Sequence, residues 1–272
     1  MIFRCIQLLA VIATMAAAVS GGAAQERRSI APQSRDNPLK ELISGYHFGA
    51  LKTRSQQDDE FDNPGFPSLQ QGEKLWKKVE GAQQKSCATC HADASQSMKG
   101  AAAAYPKFWP ASNKVINLEQ RINACRDEKM SAPRWEYEST DLIAMTSFVR
   151  NQSRGLAVNV VVDGPARPAF NLGKKEHETR IGQLNMSCAD CHNVRYGQKL
   201  RAETISQGHS NGFPSYRLRD KTMNSLHDRF RRCNAMARAE PHESGSDEYV
   251  ALELYLAWRG AGLPVETPAV RK

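Results

Sequence analysis

Cys188-Ala189-Asp190-Cys191-His192 and, 101 positions earlier, Cys87-Ala88-Thr89-Cys90-His91 decide how the rest of this chain is read. C-x-x-C-H is the spacing of a c-type haem attachment site. Two thiols three positions apart on one helical turn can each form a thioether to a haem vinyl group. The histidine that follows lies under the iron as its proximal ligand. The competing readings are a structural zinc site and a redox C-x-x-C pair. Zinc would want four ligands in two nearby pairs, whereas each pair here carries its own histidine. Two copies therefore imply two covalently bound haem c groups, attached through Cys87, Cys90, Cys188 and Cys191, with His91 and His192 on the irons.

Outward from the motifs, 272 residues are enough for two domains, each with its own core. Arg4, the apolar run Ile6 to Val19 and the small residues Gly22-Ala23-Ala24 read as a signal peptide over 1–24, cleaved after Ala24 or, alternatively, Ala18. The apolar run is too short to span a bilayer, so no membrane anchor is expected. Export to the periplasm suits a cofactor attached outside the cytoplasm. Of seven cysteines, Cys5 leaves with the signal and four serve the motifs, leaving Cys125 and Cys233. The net charge of +8 becomes +7 without Arg4, the one charged residue in 1–24. Its basic residues are scattered through helices, which argues for attraction of anions and docking of an acidic partner and against nucleic acid.

Residues 25–68 are polar and broken by Pro32, Pro38, Pro64 and Pro67, an N-terminal extension with one short helix expected after Asn37-Pro38 and a solvated loop at Asp58-Asp59-Glu60. A first unit over 69–155 holds an amphipathic helix at Gln70–Val79 (Leu75, Trp76 and Val79 inward), a helix over Leu118–Lys129, and another from Ser139 to about Val149 with a serine N-cap. A linker over 156–172 contains Val158-Asn159-Val160-Val161-Val162, expected as a short strand. The second unit, 173–272, repeats the first. Gly100, Tyr105, Pro106, Leu118, Arg121 and Cys125 return 108 positions later as Gly208, Phe213, Pro214, Leu226, Arg229 and Cys233. The motifs are offset by 101, so seven extra residues fall between His192 and Gly208. The implied fold class is all-α: two cytochrome c-like domains related by internal repeat.

Each iron then needs a sixth ligand or an open position, and methionine is the common choice. In register, Met98 faces Lys199, Met130 faces Arg238 and Met236 faces Glu128, so no methionine recurs. Cys125 and Cys233 do recur, each in Leu-x-x-Arg-x-x-x-Cys, which assigns Cys125 to the first iron and Cys233 to the second. The alternative is a Cys125–Cys233 disulfide, which separate domains would place out of reach. A thiolate ligand stabilises ferric iron and makes a poor electron relay, which points to chemistry on sulfur. Cys233 is surrounded in sequence by Arg217, Arg219, Lys221, Arg229, Arg231, Arg232 and Arg238, whereas cations and acids mix around Cys125. Arg229, one turn before Cys233, points the same way as the sulfur. His209, in the longer loop, could approach a haem edge, but His47, His177, His209, His227 and His242 all read as ordinary residues rather than ligands, and Trp76, Trp109, Trp135 and Trp258 as packing aromatics.

With these residues in place the chain resembles the dihaem form of the SoxA family, and the likeness extends to Ser44-Gly45-Tyr46, Asp58-Asp59, Asn63-Pro64-Gly65 and Gly72-Glu73-Lys74-Leu75-Trp76. The resemblance implies a periplasmic L-cysteine S-thiosulfotransferase that joins thiosulfate oxidatively to a cysteine of the carrier SoxYZ, two electrons leaving through haem. It implies an obligate heterodimer with the monohaem cytochrome SoxX, with Cys233 as the active-site ligand and Arg229 beside it. Two rival functions stay open: a dihaem thiosulfate dehydrogenase forming tetrathionate, and a plain electron-transfer dihaem cytochrome.

Overall fold

A computed structural model describes residues 29–272. The signal peptide expected over 1–24, with Arg4, Cys5 and the cleavage site, lies outside the described residues. The described chain opens with the two-residue strands β1 (Ser29–Ile30) and β2 (Leu42–Ile43), paired antiparallel. The helix expected after Asn37-Pro38 does not form. Asn37 Oδ1 accepts the Leu39 N–H at 3.1 Å and closes a local turn instead of capping a helix. Helix α1 (Leu51–Asp58) follows, taking up part of the expected acidic loop.

The repeat is visible as a series of elements traversed twice. The first pass runs α2 (Phe66–Lys77), α3 (Cys87–His91), α4 (Ala94–Ser97), the hairpin β3 (Lys107–Trp109) and β4 (Lys114–Ile116), α5 (Leu118–Cys125) and α6 (Thr140–Asn151). The second runs α7 (Arg167–Glu178), α8 (Cys188–His192), β5 (Lys199–Leu200) and β6 (Glu203–Thr204), β7 (Ser215–Arg217) and β8 (Thr222–Asn224), α9 (Leu226–Met236) and α10 (Asp247–Arg259). Strand β9 (Ala269–Arg271) then lies parallel to β7. The β5–β6 hairpin sits between His192 and Gly208, where the extra residues were expected.

Three expectations need correction. The fold is helical but not strictly all-α: the described residues contain nine strands, none longer than three residues. Segments so short cannot show the alternation by which strands are recognised in sequence. Val158–Val162 is extended without being a strand. Val158 donates to Leu263 O and Asn159 to Ala103 O, each at 2.9 Å, so its backbone is divided between two neighbours and follows no ladder. Alternation persists, with Val158, Val160 and Val162 buried and Val161 exposed. Finally, α7 begins at Arg167 inside the expected linker, α2 begins at Phe66, and Val79 lies exposed beyond the end of α2.

One helix crossing holds each unit together, and each depends on one glycine. A Cβ on Gly72 would stand 2.3 Å from the Ala144 carbonyl oxygen, and one on Gly173 would stand 1.9 Å from that of Ala251. The α2–α6 and α7–α10 backbones therefore meet directly, a closeness only glycine permits. The units also share one hydrophobic cluster, in which Ala103 and Val115 join Leu226, Phe230, Tyr249 and Leu254. The N-terminal extension is strapped to the second unit: Leu39 and Leu42 pack with Leu263, and the Ile43 N–H donates to Gln207 Oε1 at 2.7 Å.

Candidate functional site

Each C-x-x-C-H run is one helical turn held by a capping box. Ser187 Oγ accepts the Asp190 N–H at 3.1 Å, and Asp190 Oδ2 accepts the Ser187 N–H at 2.9 Å. Ser86 and Thr89 repeat the exchange at 3.1 and 3.0 Å. The third residue of each motif thus fixes the turn that aims both cysteines and the histidine. The signal, a serine before each motif with Thr or Asp three positions on, stands in the sequence, but the motif reading passed over it.

His192 is held for use through Nε2. Its Nδ1–H donates to the Ser206 carbonyl at 2.8 Å, which fixes the tautomer and leaves the other nitrogen with a free lone pair. Withdrawal from water pushes the imidazole down to about 4, with the Ser206 bond acting the other way, so the ring is neutral at physiological pH. Gly208, at φ +72°, lies flat on the ring: a Cβ there would come within 2.8 Å of His192 Cγ. His91 stands against Trp76, their ring centroids 5.8 Å apart.

Cys125 closes α5, and Cys233 lies in the last turns of α9. Both are unlinked, which removes the disulfide alternative. Burial, then the nearby Cys233, pushes the Cys188 thiol up to about 12. Burial, then Cys125, likewise takes Cys87 to about 11. Each recurring cysteine is therefore close enough to the first cysteine of its own unit's motif for their charges to interact. In donor chemistry this set fits a covalent haem: two thiols for thioethers, a neutral imidazole presenting Nε2, and a facing thiol. Cys87, Cys90, His91 and Cys125 would hold one such group, and Cys188, Cys191, His192 and Cys233 the other.

The two sites differ in charge. In the first, Arg121 lies 4.0 Å over the Trp109 ring. In the second, the position of Trp109 is held by Arg217, whose guanidinium feels the repulsive charge of Arg229. Arg217 is partly met by Asp220 at 3.4 Å and Glu203 at 3.9 Å. Arg232 is bound by Asp228 and Asp220, and Arg231 donates to the His242 carbonyl. Arg229 has no carboxylate partner among the described residues. Of the arginines that crowd Cys233 in sequence, Arg217 and Arg232 share Asp220, Arg231 turns to a backbone carbonyl, and Arg229 is left without an acid.

Behind His192 lies a polar network that sequence reasoning missed. Arg259, 0 % exposed, donates through Nη2 to the His192 carbonyl at 2.8 Å and to Asn193 Oδ1 at 2.6 Å, and through Nη1 to the Gln207 carbonyl. His177 Nε2 donates to the same Asn193 oxygen at 3.3 Å. His209 belongs to the same buried layer. It is buried, donating to Gln207 Oε1 at 2.9 Å with Gly260 against its ring. His227 stacks on Tyr137, and His242 meets Glu176 at 3.1 Å.

Residues 71–158 match the family SoxA/TsdA, cytochrome c domain. The chain is 42% identical over 244 residues to the L-cysteine S-thiosulfotransferase subunit SoxA of Rhodovulum sulfidophilum, covering 90% of this chain and 85% of that protein. It is 44% identical over 246 residues to the subunit of the same name from Pseudaminobacter salicylatoxidans, with the same coverage. Among solved structures, the crystal structure of SoxXA from P. pantotrophus superposes with a TM-score of 0.83 at 42% identity, covering 86% of this chain and 89% of that one.

Proposed function

The chain belongs to the SoxA family of L-cysteine S-thiosulfotransferase subunits, and on that premise we propose that it carries two haem c groups, one per repeat, and couples thiosulfate to a carrier thiol at Cys233. The work is done in the periplasm, with a SoxX-like monohaem cytochrome in a heterodimer and a SoxYZ-like protein as carrier. No helix among the described residues is long and apolar enough to cross a membrane. The haem bound at each site supplies a one-electron acceptor.

The observation that carries this reading is the charge difference between the sites. Arg121 is covered by an aromatic ring, whereas Arg229 lacks a carboxylate partner and shares its surroundings with Arg217. A guanidinium with no acid of its own, beside a second arginine, attracts a small dianion. Arg229, one turn before Cys233, would bind the sulfonate end of thiosulfate and set its outer sulfur against the Cys233 thiolate. An S–S bond forms between those sulfurs as two electrons leave. The carrier thiolate then attacks the sulfane sulfur, the Cys233–S bond breaks, and Cys233 departs as thiolate. Overall a carrier thiol and thiosulfate give a carrier S-thiosulfonate, one proton and two electrons.

The test is Cys233→Ala in haem-loaded protein, assayed for carrier-dependent turnover. Loss of turnover with both haems retained is expected; full turnover would remove Cys233 from the mechanism. Tetrathionate formed at an equal rate without carrier would make the chain a thiosulfate dehydrogenase instead.

A further inference from the structure

The two units differ behind their motif histidines as well. Three positions that correspond by the repeat change from apolar or inert to polar. Trp76 of α2 becomes His177 of α7 and Ala92 after the first motif becomes Asn193, each 101 positions on, and Gln152 just past α6 becomes Arg259 at the end of α10, 107 positions on, the offset that also separates the caps Ser139 and Ser246. In the first unit Trp76 Nε1 donates to the Ala92 carbonyl at 3.0 Å, and Gln152 turns back to the Phe148 carbonyl of its own helix, also at 3.0 Å. In the second, the Arg259 guanidinium spans the carbonyls of His192 and Gln207 and the Asn193 side chain. That fork ties the backbone of the iron-ligand position to the segment carrying Ser206 and Gly208, the two residues that fix the His192 ring.

All three acceptors of Arg259 are neutral, so no carboxylate offsets the charge that an arginine guanidinium keeps in proteins. The Asn37 side-chain amide donates to the Arg259 carbonyl at 2.9 Å, so the N-terminal extension braces the same residue. A full positive charge out of water acts over a longer range than one at the surface, because little solvent screens it. Its effect on a neighbouring redox centre has a definite sign: it favours the state holding one more electron.

We propose that Arg259 is a positioning and potential-setting residue of the second site, holding the His192 segment in place and making the haem there easier to reduce. This rests on the reading of Cys188, Cys191 and His192 as a haem c site. It bears on the reaction because electrons released at Cys233 must first be accepted beside it, and a thiolate ligand by itself lowers that tendency.

The test is a spectroelectrochemical titration of the full haem-loaded chain, with haem counted by pyridine haemochrome. Arg259→Gln removes the charge. Asn193→Asp leaves the guanidinium in place and sets a carboxylate against it, so it serves even where Arg259→Gln fails to accumulate. Arg259→Lys keeps the charge and loses the fork. In Arg259→Gln and Asn193→Asp, one of the two reduction steps should move down by about tenfold in the reduced-to-oxidised ratio, about 59 mV for one electron. Arg259→Lys should leave that step within about twofold and alter only the EPR anisotropy that reports ligand orientation. Unmoved steps, both steps moving together, or Arg259→Lys moving the step as far as Arg259→Gln would each overturn the assignment. One haem per wild-type chain would instead remove the haem reading beneath it.

Discussion

At the scale of single residues, the pair of positions 109 and 217 separates the two sites. The same hairpin position presents an indole to Arg121 in one unit and a guanidinium toward Arg229 in the other. An indole face satisfies a cation and removes it from ligand binding, whereas Arg217, engaged by Asp220 and Glu203, leaves Arg229 available to an anion. Arg229→Gln should therefore weaken thiosulfate capture with Cys233 still in place. Hydrogen bonds to charged groups are worth about 1.5–3 kcal/mol, so kcat/KM for thiosulfate should fall roughly ten- to a hundredfold, mostly through KM. Steady-state kinetics in thiosulfate at saturating carrier would show it. A fall in kcat alone would place Arg229 outside the binding step. The recurrence of Cys125 and Cys233 was legible in the sequence because a repeat aligns chemistry with itself. The Trp109-to-Arg217 exchange stands in the same alignment, but its meaning needed the contact of Arg121 with the ring.

At the scale of elements, the motif helices are five residues long and survive through their caps. A helix so short cannot stand on propensity. Ser187→Ala removes the oxygen that accepts the Asp190 N–H and should cost about 1 kcal/mol, read as a lower midpoint in thermal unfolding of the haem-loaded protein. The α7–α10 crossing is less forgiving. Gly173→Ala puts a methyl 1.9 Å from the Ala251 carbonyl oxygen, with backbone rather than a flexible side chain in the way. Overpacking of that kind costs about 1–3 kcal/mol, and denaturant unfolding should show a lower midpoint at unchanged slope. The helix expected from Ser139 begins there, since the Ser139 hydroxyl oxygen accepts the Leu142 N–H of its own first turn. The helix expected after Asn37 failed because its cap found a partner two residues on and the following apolar pair was taken by a strand.

At the scale of the whole molecule, the two units meet at a buried polar junction. Asn117 Nδ2 donates to Glu253 Oε2 at 3.2 Å, His227 Nε2 approaches the same oxygen at 3.3 Å, and Tyr137 donates to Asn117. Burial, then the charge of Glu253, pushes the Glu119 carboxyl up to about 7 from an ordinary 4.5, against the opposing pull of His227 and Arg150. A raised acid favours the folded state while protonated, so its contribution is whole below about pH 4.5 and lost as pH rises through about 7. Stability should decline across that window, and Glu119→Gln should flatten the decline and exceed wild type at pH 8, measured by unfolding midpoints at several pH values. None of this junction could be read in advance, because Glu119 and Glu253 belong to different repeats and have no relation of spacing. What the sequence determined by itself was what depends on neighbours along the chain: the attachment motifs, the duplicated order of elements, the recurring cysteines, and the helix starts set by local caps. What the tertiary structure decided was what depends on residues far apart: which arginine near Cys233 stays without an acid, which side chains back His192, and which way Val158–Val162 turns its hydrogen bonds. Charge and burial are properties of three-dimensional surroundings, and spacing along a chain carries them only where a helix or a turn makes distant residues neighbours.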